Sequence, residues 1–254
     1  MKILKILKIT LLLLFLYFIY WALGDTFFNW LFPFSSAGKG PSITVEGVAP
    51  KYTKPYISAL YISKDCLEYQ LDAGMSPFKV PTYNGLRLDV KADPQTGYFQ
   101  AKLPFSGGGW CKWKINQASV TVGYTDVTRL VKDAVQDKGA EGTGLTAFIN
   151  DAARTYLNET ATLNIIDYHP VIYPVLEMVD KFPKRLYLLG EKPMRPFRLM
   201  LTPGAEWKII YKPKLDETKM PKVIIPPGKG LARVEYPDGS IDLHNDQIEY
   251  WRIK

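Results

Sequence analysis

The spacing of apolar positions changes three times along the chain. An unbroken apolar run, Ile9–Leu23, with Thr10 its only polar member, gives way to short period-two stretches, then to helical spacing, then to strand-like pieces set between prolines. Period two begins with "ITVEGV" (43–48) and "PYISALYI" (55–62), where Ile57, Ala59 and Tyr61 oppose Tyr56, Ser58, Leu60 and Ile62. Over "LRLDVK" (86–91), Leu86, Leu88 and Val90 point inward and Arg87, Asp89 and Lys91 outward. "ADPQTG" then turns the chain and "YFQAKLPF" returns it, which predicts a hairpin. "WCKWKINQASVTVGY" (110–124) predicts two more strands, bent around Asn116-Gln117. Short strands at this spacing predict an antiparallel β-sandwich.

After Thr125-Asp126, either of which can cap a helix, Val127, Leu130, Val131, Ala134 and Val135 fall at helical spacing. Leu145, Phe148, Ile149, Ala152, Ala153, Tyr156 and Leu157 do so again beyond Gly139, Gly142 and Gly144. Such a stripe usually docks on its own core. "TATLNIIDY" returns to strand, and "VIYPVLEMVDKFP" is ambiguous, because Pro174 weakens a helix and permits an edge strand. "RLYLL", "FRLML", "EWKIIY" and "KVII" predict strands, "LARVEYPDGSIDLH" a hairpin turning at Asp238-Gly239, and "IEYWRI" a closing strand. The fold class expected is mainly β with a helical insertion, an antiparallel sandwich. Its organisation would be a β lobe at 42–124, a helical insertion at 125–159 and a basic β-rich lobe at 160–254. A single mixed domain accommodates the same pattern.

The start of the chain sets the compartment. Lys2, Lys5 and Lys8 precede the apolar run, and "TFFNWLFPF" extends it, with Trp30 suited to the interface. A signal peptide cleaved near Ala22-Leu23-Gly24 is one reading. Residues 1–34 as a transmembrane anchor is the favoured one, because the flanking residues bring the segment near the roughly 20 apolar positions needed to span. The lysines put the N-terminus in the cytoplasm and the body outside. Residues 35–41 ("SSAGKGP") read as a linker.

Only two cysteines occur, Cys66 and Cys111, and an even pair in an exported body predicts a disulfide between them. Gly107-Gly108-Gly109 before Cys111 lacks the Gly-Lys-Ser/Thr of a phosphate loop, and predicts a bulge entering a strand with Trp110 and Trp113 on opposite faces. Enzyme chemistry has little to build on. His169 and His244 are the only histidines, and neither accompanies a nucleophile motif. Asp242, His244 and Asp246 alternate and could share a cation, a spacing common by chance. "NET" (158–160) is a glycosylation acceptor only in a eukaryotic host. No cofactor, metal or nucleic-acid partner is expected.

Net charge is +7, unevenly placed: residues 181–233 hold 13 Lys/Arg against Glu191, Glu206, Asp216 and Glu217. A solvated basic edge explains this simply; a surface for an acidic partner is the sharper reading. In that reading Arg195, Arg198, Lys208, Lys212 and Lys214 make the contact, with Trp207 as anchor.

"VEGVAPKYTKPYISALYISKDC" and "GYFQAKLPFSGGGWCKWKINQASVTV" together resemble small anchored or secreted β-sandwich proteins of the Gram-negative periplasm, a group that includes immunity proteins against type VI secretion effectors. The resemblance covers about a third of the chain and rests on the cysteine pair and its Gly-rich approach. It implies a periplasmic binding role. The expectation is therefore a non-enzymatic, inner-membrane-anchored binding protein, an immunity protein or inhibitor neutralising a toxin. The alternative is an assembly component of an envelope or secretion complex; a hydrolase using an unusual acid pair ranks third.

Overall fold

The computed structural model describes residues 6–19, 40–149, 162–191, 194–201, 204, 206–228 and 230–253. Residues 6–19 form one helix, all of it exposed. Eighteen strands follow among the described residues. They are β1 (Ser42–Val48), β2 (Thr53–Leu71), β3 (Pro77–Leu88), β4 (Tyr98–Pro104), β5 (Ser106–Gly108), β6 (Trp113–Tyr124), β7 (Val135–Gly142), β8 (Leu145–Ile149) and β9 (Thr162–Leu163), then β10 (Ile165–Tyr168), β11 (Val171–Val179), β12 (Arg185–Leu189), β13 (Arg195–Leu199), β14 (Lys208–Tyr211), β15 (Lys214–Leu215), β16 (Lys222–Ile225), β17 (Arg233–Glu235) and β18 (Ile241–Leu243). A 3₁₀ turn, Tyr250–Arg252, stands where a closing strand was expected.

The chain is mainly β and sandwich-like. One sheet runs β10-β14-β1-β4. A second runs β3-β2-β6-β8-β13-β9, with β5 on β6, and a third β18-β17-β16-β11-β12-β7, with β15 on β11. The first two close on each other. Ile43 and Val45 of β1, Phe99 and Leu103 of β4 and Ile209 of β14 meet Ile57 and Ala59 of β2, Val120 of β6 and Leu145 of β8 in one core. Two tyrosines tie the layers together: the Tyr61 hydroxyl donates to the Pro104 carbonyl at 2.8 Å and that of Tyr211 to Thr143 at 2.7 Å. Burial raises the pKa of both hydroxyls, and the bonds satisfy what would otherwise be costly buried donors. A smaller core of Tyr173, Val175, Val223, Val234, Tyr236 and Ile253 lies in the third sheet.

Gly47 is set by a close approach. Across the first sheet, Tyr168, Tyr211, Gly47 and Phe99 lie in one row. A Cβ on Gly47 would lie 1.9 Å from the Tyr211 carbonyl oxygen and 2.8 Å from the Phe99 ring. Only glycine lets the Tyr211 backbone and the Phe99 ring approach this closely.

Several expectations are corrected. The sheets are mixed rather than antiparallel throughout, since β1–β14, β10–β14, β12–β7 and β13–β8 are parallel. Strand pairing joins 42–124 to 160–254 through β1 and β14, and 125–159 to 160–254 through β8 and β13. The expected helical insertion is strand wherever regular structure is described there: residues 127–133 are turns, and β7 and β8 follow. In β8, Leu145, Ala147 and Ile149 are buried in strict alternation, a pattern that also satisfies part of the helical spacing. The remainder of the predicted stripe (152–157), the acceptor at 158–160 and the segment 20–39 lie outside the described residues. The turn after Val90 forms, with Asp93 Oδ1 accepting from the Thr96 backbone N–H at 2.7 Å, but its flanks join different sheets: β3 pairs with β2, and β4 with β1. The bend at Asn116-Gln117 is a bulge inside one strand, where Leu60 faces Gln117 and Tyr61 faces Ile115. Pro174 sits in a strand, in the gap between β11's pairing with β15 at Val171–Ile172 and with β16 from Leu176. The Asp238-Gly239 hairpin forms as predicted between β17 and β18.

Candidate functional site

The Cys66–Cys111 disulfide forms, with Cα atoms 5.1 Å apart. Its first half lies in a break of register. β2 pairs with β3 as far as Ser63 opposite Thr82 and resumes with Leu67 opposite Pro81, so Lys64, Asp65 and Cys66 have no opposed residues. The second half is a tight turn, closed by the Lys112 N–H on the Gly109 carbonyl at 3.2 Å. Gly108 and Gly109, at φ 61° and 69°, adopt the left-handed conformation that brings β5 round into β6. Cys111 therefore stands in a hairpin turn, not a strand. Trp110 and Trp113 are divided by that turn rather than by strand faces: Trp110 is 84% exposed and Trp113 is buried.

Ser63, fully buried, joins the halves. Its hydroxyl donates to the Cys111 carbonyl at 2.5 Å and accepts from the Cys66 N–H at 2.8 Å. Thr82 of β3 donates to the Cys66 carbonyl at 2.8 Å. Lys112 and Asp65 pair at 3.4 Å above the crosslink; both are exposed, so the pair adds little.

Beyond this junction β2 loses β6, and its last residues pair only with β3. The result is a two-stranded arm, closed by Asp72 Oδ1 accepting from the N–H groups of Gly74 and Ser76. One face carries Leu67, Tyr69, Leu71, Pro77 and Pro81, with the Lys79 ammonium 5.1 Å from the Tyr69 ring centroid. Met75 at the tip is 73% exposed, Tyr69 66% and Leu71 57%. A lone two-stranded ribbon is marginal in water, so the crosslink and the two hydroxyls hold its base. The arm is not among the elements the sequence predicts. The signal was present in Leu67, Tyr69 and Leu71 alternating with Glu68 and Gln70 ahead of Asp72-Ala73-Gly74.

The basic candidates are dispersed. Arg195 and Arg198 are on β13 in the second sheet, Lys208 on β14 in the first, and Lys214 on β15 against β11. Lys208 is bracketed by Glu206 at 3.0 Å and Glu46 at 3.6 Å, and Arg195 pairs with Glu191 at 3.3 Å. Lys212 and Lys214 are exposed. Trp207 is half-buried, its ring edge-on to Phe105 with centroids 4.8 Å apart, which suits a packing role better than an anchor reaching outward.

His169 pairs with Asp167 at 2.6 Å on the surface. Asp242, whose alternation with His244 and Asp246 is a spacing common by chance, accepts from Asn245 at 3.1 Å and faces Arg252 at 3.5 Å. A cluster the sequence did not reveal joins Tyr124, Arg129 and Glu217. Arg129 binds both carboxylate oxygens of Glu217 and lies over the Tyr52 ring at 4.0 Å, while the Tyr124 hydroxyl donates to Glu217 at 2.9 Å. The hydrogen bond from Arg129 holds the Glu217 pKa below the usual glutamate range. This ties the turn after β15 to the end of β6. No protein-family model, curated protein or solved structure matches the chain.

Proposed function

We propose that this chain is a non-enzymatic binding protein held at the periplasmic face of an inner membrane by residues 1–34. Its concrete form is an immunity protein or inhibitor that blocks a secreted toxin by occlusion. The observation that carries this reading is the Cys66–Cys111 crosslink, since such bonds persist in oxidising compartments. The exposed apolar helix at 6–19 supports a tether. No helix among the described residues is long and apolar enough to cross a membrane, so the anchor reading draws on the flanking sequence as well. The sandwich interior is filled by Tyr61, Tyr211, Phe99 and their neighbours, which leaves recognition to the surface.

For an acidic partner the contact centres on exposed Lys212 and Lys214. Arg195 and Lys208, already paired with carboxylates, contribute less. The test is survival of cells making the product of the adjacent gene, with this chain co-expressed. Protection that is lost in Lys212→Glu/Lys214→Glu supports the reading, and unchanged protection removes the assignment. A fixed-stoichiometry complex, recovered by crosslinking and detergent extraction from cells without any toxin, favours the assembly role instead.

A further inference from the structure

The exposed arm has a place to go. We infer that its apolar face and Trp110 rest in the interfacial layer of the same bilayer that holds the N-terminal helix, so that the body lies crosslinked end down on the membrane. This rests on the reading of residues 1–34 as an anchor.

The chain joins the body beside the root of the arm. The Pro41 carbonyl accepts from the Phe105 N–H at 3.0 Å, and the Phe105 carbonyl accepts from Ile115 at 2.9 Å. Ser42 stands opposite Pro104, whose carbonyl receives the Tyr61 hydroxyl two residues before Ser63. The tether therefore meets the sandwich at the end that carries the disulfide, the Gly109–Lys112 turn and the root of the arm.

Seven residues, 35–41, reach about 25 Å at most at full extension. The paired part of the arm, Leu67–Leu71, projects about 17 Å at strand rise, before its turn is added. Tether and arm are thus of similar length, and a body held this close brings the tip to the lipid.

Tyr69 and Trp110 are the residue types enriched at membrane interfaces. Leu71 and Met75 supply apolar area at the tip, and Lys79 lies over Tyr69 with its stem along the same face. Between 64 and 83 the charges nearly cancel: Lys64 and Lys79 against Asp65, Glu68 and Asp72. The surface suits a bilayer interface through apolar contact and has no special demand for anionic headgroups.

The experiment uses the full chain in phosphatidylcholine vesicles, with and without bromine on the acyl chains, and reads tryptophan emission in the native protein and in Trp110→Phe. The difference between the two proteins isolates Trp110, whose exposure makes the substitution harmless to packing. Trp21 and Trp30 report the anchor in the same sample. The expected result is quenching of the Trp110 difference signal by brominated lipid, unchanged by high salt and lost in Leu71→Asp/Met75→Asp. An unquenched Trp110 signal with quenched remaining emission overturns the inference and leaves the anchor standing. If no emission is quenched, the anchor reading falls and this inference with it. An unquenched Trp110 signal that shifts to the blue as protein concentration rises overturns it in favour of a second copy covering the arm.

Discussion

The Ser63 hydroxyl donates to the Cys111 carbonyl across 48 residues of sequence, while accepting from the N–H of Cys66, the other half of the disulfide. The crosslink therefore joins two segments that a buried hydroxyl already registers. Replacing Ser63 by Ala leaves a buried carbonyl and a half-buried N–H without that partner. Unsatisfied groups of this kind cost about 1–3 kcal/mol each. The expected loss in urea unfolding of the oxidised protein is in that range, and a loss below about 0.5 kcal/mol, the scatter of an ordinary surface substitution, would show that Ser63 does not organise the junction.

Removing the crosslink itself acts mainly on the unfolded chain. The cysteines are separated by 45 positions, and closing a loop of that size is worth about 4 kcal/mol on the chain-entropy model. Cys66→Ala/Cys111→Ala is expected to lower stability by about that amount in denaturant. In limited proteolysis of the reduced protein, cleavage is expected first within 64–83, where the arm loses its fixed base. First cleavage in β1 or β6 would contradict this order.

Gly47 and Gly85 make a matched pair of strand glycines. A Cβ on Gly47 would meet the Tyr211 carbonyl oxygen at 1.9 Å, whereas nothing lies within 4 Å of one on Gly85. Gly47→Ala is expected to cost about 3 kcal/mol or more, as forced overpacking does. Gly85→Ala is expected to be neutral or slightly stabilising through reduced backbone freedom in the unfolded chain. Thermal unfolding of the two variants side by side reads the difference.

Glu217 gives the fold an acid-sensitive tie. Its carboxyl is held low, first by the hydrogen bond from Arg129, so it favours the folded state only while ionised. Its contribution is complete above the unfolded glutamate value of about 4.3 and disappears as pH falls through the lower folded value. Asp93, Asp126, Asp216 and Asp238 are also held low, each with a hydrogen bond from its own turn as the leading cause, and supply a background of the same sign. Comparing unfolding temperature against pH for native protein and Glu217→Gln isolates the one site. The variant is expected to lose stability at neutral pH and to show a shallower decline in acid; parallel curves would remove Glu217 from the account.

What the sequence made legible followed local rules. Alternation marked β1 and the central part of β2, Asp238-Gly239 marked the last hairpin, and the even cysteine count marked the disulfide. What it hid was non-local. Leu145 and Ile149 satisfy two periodicities, and the choice of strand is made by β6 and β13 on either side, the latter contributed from some 50 residues further along the chain. The clean alternation of 86–91 identified inward residues but not their partner strand. The basic residues clustered in sequence are dispersed by β13, β14 and β15 into separate pairings, so charge density along the chain overstated charge density on the surface.

The central claim is a crosslinked body outside the cytoplasm on a membrane tether. The most direct test is alkylation of the protein in the membrane fraction, extracted without reductant and read by mass spectrometry of the peptides containing Cys66 and Cys111. The account predicts one linked pair, with neither cysteine alkylated until reductant is added. Two alkylated, unlinked cysteines in freshly extracted protein would contradict it.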